Sequence, residues 1–292
     1  MPFTNYHSHC DYCDGGAPIE DFVAEAADRG LLAYGVSSHA PLPFDCKWAM
    51  RSTAIKDYMR RIDYLRCTRT DLPELYTGLE VDFIPGIAGP RSSFIRALDL
   101  DYTIGSIHFI DAEPDGRPWE VDGSNRIFQR GLDAIFGGDI EAAVRRYFAL
   151  TREMVETSCP DVVGHLDKIK IQNASHAYFD EGEPWYRREM LRTLDAIADT
   201  NVVVEVNTRG FYKGKATLYP SIWVLEEMAK RDIPVTINSD AHLPSEIIKG
   251  FTEAAGALFG VGYRELTVLT DGHWRAMPFD DSGLIRHERI AV

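Results

Sequence analysis

The first notable absence in this 292-residue sequence is that of a long hydrophobic run, because no apolar stretch approaches the roughly 20 residues of a membrane-spanning helix. The first ten residues, MPFTNYHSHC, lack the basic segment and apolar core of a secretory signal. The five cysteines are an odd number without the spacing of a disulfide framework, which suits a reducing compartment. We therefore expect a soluble, cytoplasmic protein with no membrane partner.

The chain is also poor in positive charge. Lysine and arginine number 31 against 45 aspartates and glutamates, which gives a formal net charge of −14. Proteins that grip nucleic acid without regard to sequence need surplus Lys and Arg to pair with backbone phosphates, so we expect no nucleic-acid partner. A small phosphorylated substrate is not excluded, because bound metal ions can reverse the local electrostatic field whatever the total charge.

Short β-rich runs alternate with amphipathic stretches along the chain. The sequence contains no evident internal repeat. We predict strands at residues 4–7, 33–37, 75–81, 102–107, 162–165, 202–206 and 235–238, with an eighth at 265–269. We predict helices at 18–30, 52–69, 139–157, 185–199, 220–231 and 245–259, with Ser52 and Asp139 as N-caps. This alternation indicates a parallel sheet. Since no GxGxxG motif follows the first strand, a closed barrel is favoured over an open dinucleotide-binding sheet.

One segment breaks this alternation. Residues 111–138 hold several Gly, Pro and Asp residues together with Trp119 and Phe128. An insertion of this length after a strand is typical of a loop over a functional site. We therefore predict that the segment is a lid rather than a scaffold element, and that Trp119 closes over the bound molecule.

The positions of the histidines carry the functional signal. Of nine, six lie at or just past the C-terminal end of a predicted strand, namely His7, His9, His39, His108, His165 and His242. Glu80 and Asp240 lie at strand ends as well. Because every strand of a parallel barrel ends at the same rim, we expect these side chains to meet. Imidazole and carboxylate groups are the ligands of zinc, manganese and iron, so the pattern predicts a divalent-metal site.

Each of these residues alone has an ordinary explanation, such as a chance HxH, a loop histidine or a helix-capping aspartate. The joint pattern at one end of successive strands is what favours a shared site. Asp14 lies in a turn five residues after His9, from which its carboxylate could fold back to the rim. Cys10 and Cys13 form a CxxC, but neither a second pair nor a thioredoxin-like context accompanies it.

Seven motifs in order, HSH, SSHAP, GLEVD, GSIHF, VGHLDKIK, EVNTRG and NSDAH, resemble the PHP (polymerase and histidinol phosphatase) superfamily over residues 3–250. Within it the sequence is most similar to the PHP-type histidinol-phosphate phosphatases. The resemblance implies one α/β domain over residues 1–292, a distorted (β/α)7 TIM-like barrel. The 111–138 insertion and a C-terminal extension at 270–292 lie outside the motifs.

The resemblance also implies three divalent metal ions, with zinc, manganese and iron all open. Carried over motif by motif, the first ion would be held by His7, His9, Glu80 and Asp240. Glu80 would bridge to a second ion held by His108 and His165, and the third would be held by Asp14, His39 and His242. Many members have a histidine where this chain has Gly15, and related members use an aspartate one position earlier.

The implied reaction is hydrolysis of a small phosphomonoester, L-histidinol phosphate of histidine biosynthesis, by a metal-bridged hydroxide that attacks phosphorus. Asp240 or His242 would supply a proton to the leaving group through a bound water, and Arg209 and Lys168 would bind the phosphate. Two alternatives stay open: a PHP-type phosphoesterase for another sugar or nucleotide phosphate, and a non-catalytic metal-binding module. The sequence does not indicate an oligomeric state.

Overall fold

Seven parallel strands form the central element of the computed structural model, which describes residues 2–173, 177–215 and 217–285. Their spatial order follows the chain: β1 (Thr4–Asn5), β2 (Ala33–Val36), β3 (Glu74–Asp82), β4 (Tyr102–Ser106), β7 (Val162–Val163), β8 (Val203–Asn207) and β9 (Val235–Asn238). Helices connect them on the outside. The prediction of an α/β barrel with seven strands is confirmed.

The ring is closed at the rim where the strands end. Just past β1 and β9, Ser8 and Ala241 form a parallel bridge. The His9 amide donates to the Ala241 carbonyl oxygen at 2.8 Å, and the Ala241 amide donates to the His7 carbonyl oxygen at 3.3 Å. The HSH and DAH motifs are therefore the segments that join the first and last strands of the barrel.

The outer helices are α1 (Ile19–Asp28), α2 (Ile55–Thr68), α3 (Ser93–Arg96), α5 (Ile140–Thr157), α6 (Pro184–Ala198), α7 (Ile222–Ala229) and α8 (Phe251–Gly260). Asp139 caps α5 as predicted, because its Oδ1 accepts the Ala142 amide at 3.0 Å. The prediction that Ser52 caps α2 is wrong. That helix begins after Ala54, which makes no side-chain cap bond.

The insertion at residues 111–138 contains regular secondary structure and packs into the hydrophobic core, whereas we predicted a loop. It contains the hairpin strands β5 (Phe109–Ala112) and β6 (Pro118–Glu120), followed by α4 (Asn125–Phe136). Trp119 is fully buried against Phe128, and a Cβ added to Gly131 would lie 2.1 Å from its indole ring. Trp119 therefore anchors the hairpin to α4 and cannot close over a ligand, so that prediction is wrong.

The eighth predicted strand exists but lies outside the barrel. β10 (Glu265–Thr270) pairs in antiparallel fashion with β11 (His273–Asp280), and β12 (Gly283–Leu284) completes a small separate sheet. The Tyr6 hydroxyl accepts the Leu269 amide at 2.8 Å and donates to the Leu269 carbonyl oxygen at 2.9 Å. His273 lies on this sheet, whereas His176 and His287 fall outside the described residues. Over the described residues, no helix has the length and apolarity needed to cross a membrane.

Candidate metal centre

The barrel brings the predicted ligands together at its C-terminal rim. Seven of the nine are buried there, namely His7, His9, His39, Glu80, His108, His165 and Asp240, while His242 is half-buried. Asp14 is the most exposed member of the group. Apart from Asp14, which lies in a turn, each side chain sits at or just after a strand end, so residues as far apart in the chain as His7 and His242 share one small volume.

The first group of ligand atoms surrounds one oxygen of Glu80. Glu80 Oε2 lies 3.3 Å from His7 Nε2 and 3.5 Å from His9 Nε2, and His9 Nε2 lies 3.3 Å from Asp240 Oδ1. Nitrogen and oxygen ligands about 2.0–2.1 Å from a tetrahedral ion are separated by about 3.4 Å. The spacing of this group fits a common metal ion.

The second group surrounds the other oxygen of the same carboxylate. Glu80 Oε1 lies 2.9 Å from His165 Nε2 and 3.5 Å from His108 Nε2. The two imidazole nitrogens are 3.2 Å apart. Glu80 therefore stands between two sets of histidines, with one oxygen directed at each.

The third group depends on a tight turn after β1. Asp14 Oδ2 lies 3.3 Å from His242 Nε2, and Asp14 Oδ1 lies 3.7 Å from His39 Nε2. A Cβ at Gly15 would lie 2.0 Å from the His9 carbonyl oxygen, so this backbone leaves no room for a side chain at position 15. Asp14 is the residue of the turn that reaches His39 and His242.

The buried nitrogens give an independent test of whether these residues fit metal ions. His7 Nε2, His9 Nε2 and His39 Nδ1 are inaccessible to solvent and have no hydrogen-bond partner. His39 Nδ1 is only 2.8 Å from Glu80 Oε2, yet the two atoms do not have hydrogen-bond geometry. Buried polar atoms are nearly always satisfied, so several unsatisfied nitrogens around one carboxylate indicate a bound cation. The donor set fits divalent metal ions.

The electrostatics of the protein alone keep the central carboxylate charged. Burial opposes the ionisation of Glu80, but His7 and His108 outweigh it and hold its pKa well below the usual value. Burial and the neighbouring His39 lower the pKa of His9 well below its usual value, so His9 is neutral at neutral pH. A charged carboxylate beside a neutral imidazole is the combination that a metal ion requires of its ligands.

Two carboxylates that we did not predict orient the histidines. Glu205 Oε2 accepts from His7 Nδ1 at 2.8 Å, and Asp82 Oδ1 accepts from His108 Nδ1 at 3.0 Å. Both bonds leave Nε2 of the imidazole free to bind an ion. A signal for both was present in the sequence: Asp82 follows Glu80 on the same face of β3, and Glu205 is the one acidic residue of the apolar strand β8.

We expect Glu205→Gln to weaken metal binding about 10- to 100-fold, because the amide no longer fixes the ring orientation of His7. The measurement is a zinc titration against a competing chelator. Glu189→Gln is the matched control, since Glu189 is equally buried but pairs with Arg145 and Arg152 between α5 and α6. An equal loss of metal affinity in both variants would mean that the effect is general destabilisation.

A cavity of about 220 Å³ opens beside the three groups. Lys168 and Arg209, the predicted phosphate ligands, line it together with Trp48, Glu120 and Asp122, three residues that the sequence did not single out. Lys168 Nζ lies 3.2 Å from Asp122 Oδ2 and 3.6 Å from Asp240 Oδ2. Its pKa is raised: burial opposes protonation, but Asp240 and Asp122 outweigh burial, so the ammonium stays charged.

Arg209, the second predicted phosphate ligand, bonds the backbone of the segment that carries Asp240. Arg209 Nη1 donates to the Asp240 carbonyl oxygen at 2.5 Å, and the Tyr212 hydroxyl donates to the Ser239 carbonyl oxygen at 2.7 Å. Asp240 has a φ of 52°, a left-handed conformation that aspartate tolerates better than most residues. The contacts from the loop after β8 thus stabilise a strained ligand.

Fold and site together define a class: an α/β barrel with a histidine- and carboxylate-rich centre for divalent metal ions at its C-terminal rim. The family follows from comparison with known proteins. The family model for the PHP domain matches residues 5–209, so the chain belongs to the PHP domain family.

Named relatives cover most of the chain. A Deinococcus radiodurans protein named "Probable histidinol-phosphatase" is 29% identical over 268 residues, which are 89% of this chain and 94% of that protein. A candidate histidinol phosphatase from Listeria monocytogenes shares the fold with a TM-score of 0.74 and 19% identity, over 86% of this chain and 99% of that one. A Lactococcus lactis histidinol phosphate phosphatase, complexed with zinc, L-histidinol and phosphate, has a TM-score of 0.67 and 20% identity over 97% and 99% of the two chains.

Proposed function

We propose that this protein is a metal-dependent phosphomonoester hydrolase that converts L-histidinol phosphate to L-histidinol and phosphate, a step of histidine biosynthesis. The observation that carries the proposal is the position of Glu80, which directs one carboxylate oxygen at each of two histidine groups beside a cavity with two cations. The names of the Deinococcus, Listeria and Lactococcus proteins support the same reaction.

We infer three divalent ions, held by the three groups described above. His7, His9, Glu80 and Asp240 would hold the first, Glu80, His108 and His165 the second, and Asp14, His39 and His242 the third. Zinc, manganese and iron all accept such mixed nitrogen and oxygen ligands, and availability decides among them. The zinc bound to the Lactococcus protein favours zinc as the first metal to test.

Bound metal ions would lower the pKa of water towards about 7 and neutralise phosphoryl oxygens. The chain itself supplies the remaining groups. Lys168 and Arg209 line the cavity and bind the phosphoryl oxygens that do not face the metal ions. Asp240 and His242 line the same cavity, and one of them passes a proton through a bound water to the leaving oxygen.

The wall formed by the insertion suits the leaving group of this substrate. Glu120 lies in the cavity wall, and none of the ion pairs among the described residues includes it. L-Histidinol carries an ammonium group and an imidazole ring. Glu120 can pair with the ammonium, and Trp48, whose ring lies 4.5 Å from that of His39, offers a flat apolar surface to the imidazole.

We expect Glu120→Gln to lower kcat/KM for L-histidinol phosphate about 10- to 100-fold, the value of a hydrogen bond to a charged group. Hydrolysis of p-nitrophenyl phosphate, which has no ammonium group, should change by less than about twofold. Steady-state kinetics on both substrates make the comparison. Equal losses on both would place Glu120 outside leaving-group recognition.

The proposed function itself is tested by phosphate release from L-histidinol phosphate and from a panel of sugar and nucleotide phosphates, with zinc, manganese or iron added. We expect the highest kcat/KM for L-histidinol phosphate. Activity on the panel without activity on L-histidinol phosphate would replace the substrate but keep the chemistry. A metal-replete protein inactive on every phosphoester would be a metal-binding module instead.

A further inference from the structure

A second cavity, of about 360 Å³, lies on the outer side of the rim and shares no lining residue with the first. It opens between the segment after β2 and the segment after β3, in the region of Leu42 and of Ile87 to Ile95. This volume falls within the range of small-molecule sites, about 300–1,000 Å³. No step of the proposed reaction uses it.

The lining is largely apolar. Leu42 and Val81 belong to it, together with Ile87 and Phe94, which are 53% and 43% exposed. Ile87 and Phe94 are among the most exposed large apolar side chains of the described residues. A ring or branched chain of a ligand would cover apolar surface here that water now contacts, at about 25 cal/mol per Å² buried.

One carboxylate side chain interrupts this apolar surface. Asp82 is the charged member of the cavity lining and is only 2% exposed. Its Oδ1 accepts from His108 Nδ1 at 3.0 Å, so the carboxylate lies between the cavity and the second histidine group. The hydrogen bond from His108 uses Oδ1 of this carboxylate, and a cation is the partner that best stabilises the other oxygen beside an apolar wall, so a ligand of this cavity would carry positive charge.

We propose that this cavity binds a small organic cation, a primary ammonium group attached to an apolar ring or branched chain, with the ammonium at Asp82. The occupied cavity is coupled to the metal centre, because Asp82 cannot bond an ammonium group and keep its hydrogen bond to His108 unchanged. The binding itself is independent of the substrate proposed above. The coupling rests on the part of the proposed function that makes His108 a metal ligand.

The coupling has an expected direction and size. A ligand that draws the Asp82 carboxylate towards itself loosens the hydrogen bond that orients the His108 ring, and loss of a partner of this kind costs about 10- to 100-fold in metal affinity. Pairing with an ammonium is a smaller change than deletion, so we expect the cation to weaken zinc binding about 3- to 10-fold. By linkage, zinc must weaken binding of the cation by the same factor.

Isothermal titration calorimetry with two probes of nearly equal shape tests the site. Cyclohexylamine is an ammonium at neutral pH, since alkylamines ionise near the pKa of lysine, whereas cyclohexanol is neutral. We expect the zinc-loaded protein to bind cyclohexylammonium at least about tenfold more tightly than cyclohexanol, from the strength of a hydrogen bond to a charged group. Removal of zinc by a chelator should tighten cyclohexylammonium binding about 3- to 10-fold.

Ser93→Phe fills the cavity, because Ser93 lines it from α3. We expect this variant to bind cyclohexylammonium at least about tenfold more weakly while it hydrolyses phosphoesters as before. Arg96→Phe is the matched control, placed on the same short helix but outside the lining. Should Ser93→Phe fail to fold, Ala88→Leu fills the same space from the segment after β3.

The opposite results are specific. Equal affinity for the amine and the alcohol would mean that Asp82 does not bind the ammonium group. Unchanged binding in the filled variants, together with displacement by inorganic phosphate, would place the cation in the metal-side cavity near Glu120. Equal affinity for cyclohexylammonium with and without zinc would mean that the cavity is not coupled to the metal centre. None of these readouts uses phosphatase activity, so a failure here is distinct from a failure of the proposed reaction.

Discussion

Glu80→Gln is expected to abolish phosphatase activity, by on the order of 10³-fold or more, and to release bound metal. The two oxygens of Glu80 lie within 3.5 Å of Nε2 atoms of His7, His9, His108 and His165. Glutamine keeps the shape of the side chain but offers one neutral oxygen, and its amide protons would point at a group of imidazole nitrogens. One substitution would therefore remove a ligand from two of the proposed ions at once.

Elemental analysis and steady-state kinetics on the same preparation measure this effect. Glu74→Gln is the control, because Glu74 begins the strand β3 to which Glu80 belongs and its carboxylate bonds the Tyr76 hydroxyl, away from the rim. We expect the control to retain full metal content and activity within about twofold. If the Glu80 variant retained its metal and its activity, the shared centre would have to be abandoned.

Lys168→Met is expected to lower kcat/KM by about 10²- to 10³-fold, the loss typical of one group that stabilises transition-state charge. The ammonium lies 3.2 Å from Asp122 and 3.6 Å from Asp240 and remains charged in spite of its burial. Methionine fills nearly the same volume without charge. Inhibition by inorganic phosphate should weaken in parallel, because the ammonium is proposed to bind phosphoryl oxygens.

Stability has to be separated from catalysis in this variant, because Lys168→Met leaves Asp122 buried without its partner. The double variant Lys168→Met, Asp122→Asn removes both charges and should recover thermal stability without recovering activity. Lys230→Met is the control for charge, since Lys230 is 64% exposed and pairs with Glu227 on the surface. Recovery of activity in the double variant would assign Lys168 a structural role only.

Two parts of the chain pack against partners that the sequence did not predict. Residues 265–269 were correctly predicted as a strand, but β10 pairs with β11 in a separate sheet. Trp119 was predicted to close over the bound molecule, but it lies fully buried against Phe128. Local pattern determines whether a segment is extended and which side chains share a face. It does not determine which distant segment packs against that face.

The same division applies to the site. Period-2 spacing and position at strand ends were enough to group His7, His9, Glu80, His108, His165 and Asp240 before any contact was known, because a parallel barrel directs all strand ends to one rim. Trp48, Glu120 and Asp122 could not be grouped in this way, since none of them lies at the end of a barrel strand: Trp48 follows β2 in a connecting segment, and Glu120 and Asp122 lie at the end of the hairpin strand β6 and just after it.

The sequence by itself therefore indicated the barrel and the candidate ligands at its rim, because both depend on local periodicity and on the geometry common to all parallel barrels. Only the tertiary structure decided that Glu205 and Asp82 orient His7 and His108, that Asp14 reaches His39 and His242 from its turn, and that the insertion lines the cavity with Glu120 and Asp122. Those features arise from contacts between segments far apart in the chain, and such contacts form only when the core is packed.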